Sequence, residues 1–129
     1  MTTTVSIEKC SEYQFDSVYT SLKKLIKDVP PPDVTGKTVL LKPNILSPKK
    51  PEIAICTHPV VVGAAVKLFL EVDAKKVLVG ESPATANPTS AAKATGMYNQ
   101  IIENGGEWVE FNDQVNVDCP KGKLVKSFE

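Results

Sequence analysis

The order of apolar and polar positions divides the chain into alternating strand-like and helix-like segments. Val5-Ser6-Ile7 alternates and predicts a short first strand. Phe15, Val18, Tyr19, Leu22, Leu25, Ile26 and Val29 then recur at helical spacing, with Lys23, Lys24 and Lys27 mostly off that stripe. This pattern predicts a surface helix docked on a sheet, with Ser11 or Asp16 as its cap. Pro30-Pro31-Pro32 stops it, because proline cannot continue a helix and restricts the residue before it. Asp33 to Gly36 reads as a turn. In the predicted strand Thr38-Val39-Leu40-Leu41, Val39-Leu40-Leu41 is uniformly apolar, as expected of a parallel strand buried on both faces.

The loop from Pro43 to Cys56 contains three prolines and is long for a compact domain. A helix is predicted from Pro59 to about Glu71. Its apolar residues go nearly all the way round, so it needs cover on most sides, from this chain or another. Lys76-Val77-Leu78-Val79-Gly80 is a second buried-strand signature, which completes a right-handed βαβ unit. A further helix is predicted from Thr89 to Glu103, interrupted by Gly96 and ended by Asn104-Gly105-Gly106. Glu107 to Phe111 alternates and predicts a strand nearer the sheet edge. Cys119 to Lys123 reads as a turn and Lys123 to Phe128 as a final strand. The expected fold is one α/β domain over residues 1–129: three-layer and Rossmann-like, with a mainly parallel sheet and helices on both faces.

Composition narrows the partners. The chain has 129 residues, 42% hydrophobic and 23% charged, which is enough apolar material for a real core. Lys+Arg and Asp+Glu both count 15, so the net charge is zero and a nucleic-acid partner is not expected. Cys10, Cys56 and Cys119 are far apart and no C-x-x-C occurs, so no zinc or iron–sulfur ligand run is present. Unpaired, widely spaced thiols fit a reducing compartment. The first residues lack the features of a signal peptide, and Val60 to Val72 is too short to span a bilayer. The expected location is cytoplasmic, with no membrane partner and no cofactor evident in this chain.

The candidate chemistry collects at the carboxyl ends of the predicted parallel strands, where α/β sheets gather ligands. Lys42 and Asn44 follow one strand, and Glu81 and Ser82 follow the next. Pro59 fits the first turn of a helix, which sets His58 near its N-cap and Thr57 just outside. With Asn87 and Thr89 at the next helix start, these groups form two walls of one crevice suited to an anionic, oxygen-rich small molecule. His58 and Glu81 are candidates for a general acid/base pair. The plainer readings stand beside these. Lys42 and Glu81 also make sense as a salt bridge between strand ends, Asn44 as a turn residue, and His58 as a polar helix start. The single histidine excludes a multi-histidine metal site, and neither G-x-G-x-x-G nor a Walker lysine is present.

Four segments carry a resemblance: Val39-Leu40-Leu41-Lys42-Pro43-Asn44, Thr57-His58-Pro59, Val77 to Pro83, and Ala94-Thr95-Gly96-Met97-Tyr98. In that order and spacing they resemble the N-terminal part of the domain-of-unknown-function 362 family. The resemblance implies a larger architecture, which in many members carries a C-terminal ferredoxin-like module with iron–sulfur clusters. It also implies a distant similarity to the nickel-dependent lactate racemase group. This chain carries neither the cluster-binding cysteines nor the further histidines, so what the resemblance implies here is that Lys42, Asn44, His58, Glu81 and Ser82 mark the shared crevice. Three readings follow: an anion-binding domain not catalytically complete alone, a stand-alone acid/base enzyme using His58 and Glu81, and a self-associating, homo-oligomeric scaffold.

Overall fold

A computed structural model describes residues 3–83, 86–113, 115–124 and 127–128. The predicted α/β, Rossmann-like class is what the chain adopts. Three parallel strands, β1 (Thr38–Leu41), β2 (Lys76–Val79) and β3 (Glu107–Trp108), lie in the order β1-β2-β3. β1 and β2 pair in register from Thr38↔Lys76 to Leu41↔Val79, and β2 meets β3 at Leu78↔Glu107 and Val79↔Trp108. Helix α2 (Pro59–Glu71) connects β1 to β2, and α3 (Pro88–Ala94) with α4 (Met97–Glu103) connects β2 to β3. Two crossovers in the same direction, both right-handed by the general rule, set their helices on one face of the sheet. There α2 packs beside α4.

The core lies between that helix layer and one side of the sheet. Val77, Val79, Val62, Val66, Ala91, Ala92, Met97 and Ile101 are all buried in it. α2 is covered by its own chain, with α1 (Phe15–Asp28) on one flank and α4 on another, which explains its nearly all-round apolar composition. α1 thus packs chiefly on α2 and not on the sheet as expected. Its N-cap is Gln14, with no side-chain cap bond, so neither Ser11 nor Asp16 has that role. Ser17 instead donates to Glu12, and Tyr19 donates to Glu71 across to α2.

Several expectations are corrected. Val5-Ser6-Ile7 forms no strand; Val5 and Ile7 are exposed and the segment lies along α1. β1 is not buried on both faces, because the crossover helices cover one face of the sheet and Leu40, 53% exposed, lies on the other. The helix predicted over residues 89–103 is two helices. Gly96, at φ 77°, takes a left-handed conformation that breaks the hydrogen-bond ladder and caps α4. Thr95, buried, donates to the Ala92 carbonyl just before the break. The long loop holds an unforeseen 3₁₀ turn, Pro51–Ile53. Of the predicted last strand, positions 125 and 126 lie outside the described residues; Ser127–Phe128 (β5) pairs antiparallel with an unforeseen β4 (Val117–Asp118), apart from the main sheet.

Two glycines set helix spacing. A Cβ on Gly63 of α2 would lie 2.9 Å from the side-chain ends of Gln100 and Asn104 and 3.1 Å from the Gln100 backbone carbonyl, so the glycine eases the close approach of α4. A Cβ on Gly106 would lie 2.8 Å from Val66 Cγ1 and 3.1 Å from Ile101 Cγ2. Both neighbours are fully buried and have little room to move. Gly106→Ala is therefore expected to cost roughly 1–3 kcal/mol of stability through overpacking. Urea unfolding checks this, and a midpoint equal to that of the parent chain would refute it.

Candidate functional site

The site residues are held by β1, β2 and the start of α2. Lys42 directly follows β1 and Glu81 follows Gly80 at the end of β2, so parallel register brings them side by side. Lys42 Nζ lies 2.8 Å from both Glu81 carboxylate oxygens. Glu81 Oε1 also accepts from the Ser82 backbone N–H at 2.9 Å. The pair is asymmetric in exposure: the Glu81 side chain is 9% accessible and that of Lys42 61%. Gly80 leaves room for this turn, since a Cβ there would lie 2.8 Å from the Val109 carbonyl oxygen and 2.9 Å from the Phe111 ring. Of the two readings of Lys42 and Glu81, the salt bridge is thus present.

Asn44 and Thr57 are drawn together as the two ends of the long loop. The Asn44 N–H donates to Thr57 Oγ1 at 3.0 Å, and the Thr57 N–H returns to the Asn44 carbonyl at 2.9 Å. The Asn44 side-chain amide donates to the Ile55 carbonyl at 3.0 Å. These bonds clamp the loop base, while Ile45 anchors it in the core. Asn44 is therefore closer to the turn reading, although it bonds the loop's far end and not its own neighbours.

His58 is the N-cap of α2, as predicted. Its Nδ1 accepts from the Val60 N–H at 3.3 Å, and its ring stacks on Tyr13 with centroids 3.8 Å apart. The Val61 N–H donates to the His58 carbonyl. The first-turn donors of α2 are thus already taken, so the helix end is not an open anion cradle. Asn87 likewise caps α3, its Oδ1 accepting from the Ser90 N–H. Thr89 accepts from Trp108 Nε1 at 2.9 Å and donates to Glu110, tying α3 to the strand after it. Among the described residues no hydrogen bond joins His58 to Glu81, and the Ser82 hydroxyl makes none with the protein.

A concavity of about 210 Å³ adjoins the strand end, lined by Leu41, Lys42, Pro43, Thr57, Val61, Val62 and Ala65. Sequence reasoning missed its apolar wall, because Val61 and Ala65 read there only as core positions of a helix. Larger hollows of about 320 and 440 Å³ lie between residues 8–13 and α1, and neither is lined by Lys42 or Glu81. The iron–sulfur chemistry implied by longer relatives has no ligand set among the described residues. Cys10, Cys56 and Cys119 are free thiols, and no three metal-binding side chains cluster there.

These features define an α/β domain with a polar pair and a small apolar-walled hollow at the carboxyl edge of a parallel sheet. The chain belongs to the family described as Domain of unknown function (DUF362), which matches residues 39–129. It is 32% identical over 131 residues to a thylakoid-associated protein of Synechocystis sp.. That match takes in 90% of this chain but only 39% of the relative's length. No solved structure matches the chain. Among the described residues no helix is long and apolar enough to cross a membrane.

Partial burial holds the His58 imidazole below the usual histidine pKa, with Glu52 opposing. The unfolded chain then takes up a proton more readily than the folded one. This contribution to stability is complete above the ordinary value, about 6.5, and is lost as pH falls through the lower folded value. Protonation also ends Nδ1 as an acceptor for Val60. Thermal melts from about pH 8 to about pH 5.5 are expected to show falling stability, with a shallower fall in His58→Asn, whose amide caps without titrating. Identical slopes in the two proteins would remove His58 as the cause.

Proposed function

We propose that this domain binds a small molecule carrying one carboxylate or similar anionic group and an apolar body. It does so at the carboxyl ends of β1 and β2, as one part of a larger family architecture, and is not catalytically complete alone. The observation that supports this most is the setting of Lys42. Glu81 takes two of its three N–H donors from the inner side, while the side chain stays largely exposed beside the 210 Å³ hollow. The third donor is then oriented by the buried carboxylate. The ion pair is neutral overall, so selection would come from one directed hydrogen bond and from fit against Leu41, Pro43, Val61, Val62 and Ala65, not from net charge.

The acid/base reading has less support. His58 Nδ1 is engaged as a cap and its ring by Tyr13, and the Glu81 carboxylate is engaged by Lys42 and Ser82. The scaffold reading keeps only one of its two surfaces: α2 is covered within the chain, and the other, the strand edge at Lys123 to Phe128, includes residues outside those described. We also read the domain as acting in a reducing, aqueous compartment such as the cytoplasm, in keeping with its three unpaired thiols.

Titration with hexanoate, followed by amide chemical shifts, tests the site. Saturating shifts are expected at Lys42, Thr57 and Val61, with inorganic phosphate weaker because it lacks the apolar body. Lys42→Met should weaken hexanoate binding about tenfold or more, equivalent to about 1.4 kcal/mol. Lys27→Met should leave it unchanged. Shifts of equal size in the Lys42→Met protein would overturn the proposal.

A further inference from the structure

We propose that the outer edge of β1 is a strand-docking surface whose occupant is this chain's own segment from Thr4 to Glu8. The inference stands apart from the ligand proposal and begins with an unpaired edge. The Lys37 and Leu41 carbonyls accept from the Lys75 and Gly80 N–H groups on the β2 side. Backbone groups alternate in direction along a strand, so Thr38 and Leu40 turn theirs outward, away from β2. Among the described residues no strand pairs there.

The segment is already aligned for that edge. Ser6 Oγ donates to Asp28 at 2.8 Å near the C-terminal end of α1, and Glu8 pairs with Lys24 at 2.6 Å one turn earlier. Glu12 accepts from Ser17 near the helix start, and Tyr13 stacks on His58. The segment therefore runs antiparallel to α1, and so in the same sense as β1. With α1 as the crossover, residues 4–41 have the length and order of a βαβ unit. A right-handed crossover from a strand outside β1 places its helix beside α2, on the same face. α1 is found packed on α2.

Side-chain parity is fixed by the bonds already made. Ser6 and Glu8 already face α1, so docking in the same orientation retains their bonds. Val5 and Ile7, 75% and 90% exposed, then fall on the opposite face, alongside Leu40 at 53%. The hollows between this segment and α1 mark the gap that docking would close. The order would become a four-stranded parallel sheet, with the turn at Cys10 to Tyr13 brought to the same carboxyl edge as Lys42 and Glu81.

Residue-resolved hydrogen exchange tests this on the whole chain. Docking predicts that the Thr38 or Leu40 amide exchanges at least tenfold more slowly than an unprotected amide. The double variant Ser6→Pro/Ile7→Pro puts one proline at each backbone parity and should abolish that protection, while Val39 and Val79 keep theirs. The segment contributes no residue to the core, so the variant is expected to fold. Unprotected Thr38 and Leu40 in the parent chain would overturn the proposal. So would protection that survives the prolines, which would mean another occupant. Protection that grows with protein concentration would assign the strand to a second copy, and would equally overturn docking within one chain.

Discussion

Close approach to α2 is the constraint on which the rest of the domain depends. This helix takes α1 on one flank, α4 on another and β2 beneath. Its residues at the closest contacts are small: Gly63 faces Gln100 and Asn104, and Ala64 is fully buried. Gly106 repeats the device on the strand side, admitting Val66 and Ile101 where a methyl group would collide. Interiors packed at crystal-like density transmit such spacing directly. The positions of α4 and β3 follow from it, and so does the alignment of the strand ends that brings Lys42 to Glu81.

The carboxyl edge of the sheet is polar but mostly self-satisfied. Helix starts that in other α/β proteins hold phosphate are here closed by His58 and Asn87. The long loop is closed by Asn44 and Thr57. What is left over is narrow: one exposed ammonium positioned from behind by a buried carboxylate, and a hollow whose walls are largely aliphatic. An exposed ion pair alone would hold its geometry weakly, but the burial of Glu81 and its bond from the Ser82 N–H fix one partner.

The parts of this structure legible in the sequence were those governed by a local rule. Proline at position 59 and the apolar run after it located α2 to the residue, and two Val/Leu runs located β1 and β2. The pairing of Lys42 with Glu81 was legible as one of two readings, because both follow strands that parallel register aligns. The failures have a shared origin in tertiary context. Leu40 reads as buried, yet its exposure depends on which face of the sheet the helices cover. Gly96 reads as an interruption, but a single φ of 77° makes it a boundary between two helices. The role of Asn44 depends on Ile55 and Thr57, which lie eleven and thirteen residues further along, beyond the reach of any spacing rule.

The clamp at Asn44 and Thr57 has one more implication, for how such a domain can diversify. Because the loop's ends are tied to each other and seated by Ile45, the strand-to-helix join is mechanically independent of what lies between. Loop-closure entropy grows only with the logarithm of length, so longer or shorter inserts would load that join little. Positions 46–54 thus form a cassette at the rim of the sheet. Their sequence can change while the register of β1, the start of α2 and the placement of Lys42 are inherited unchanged.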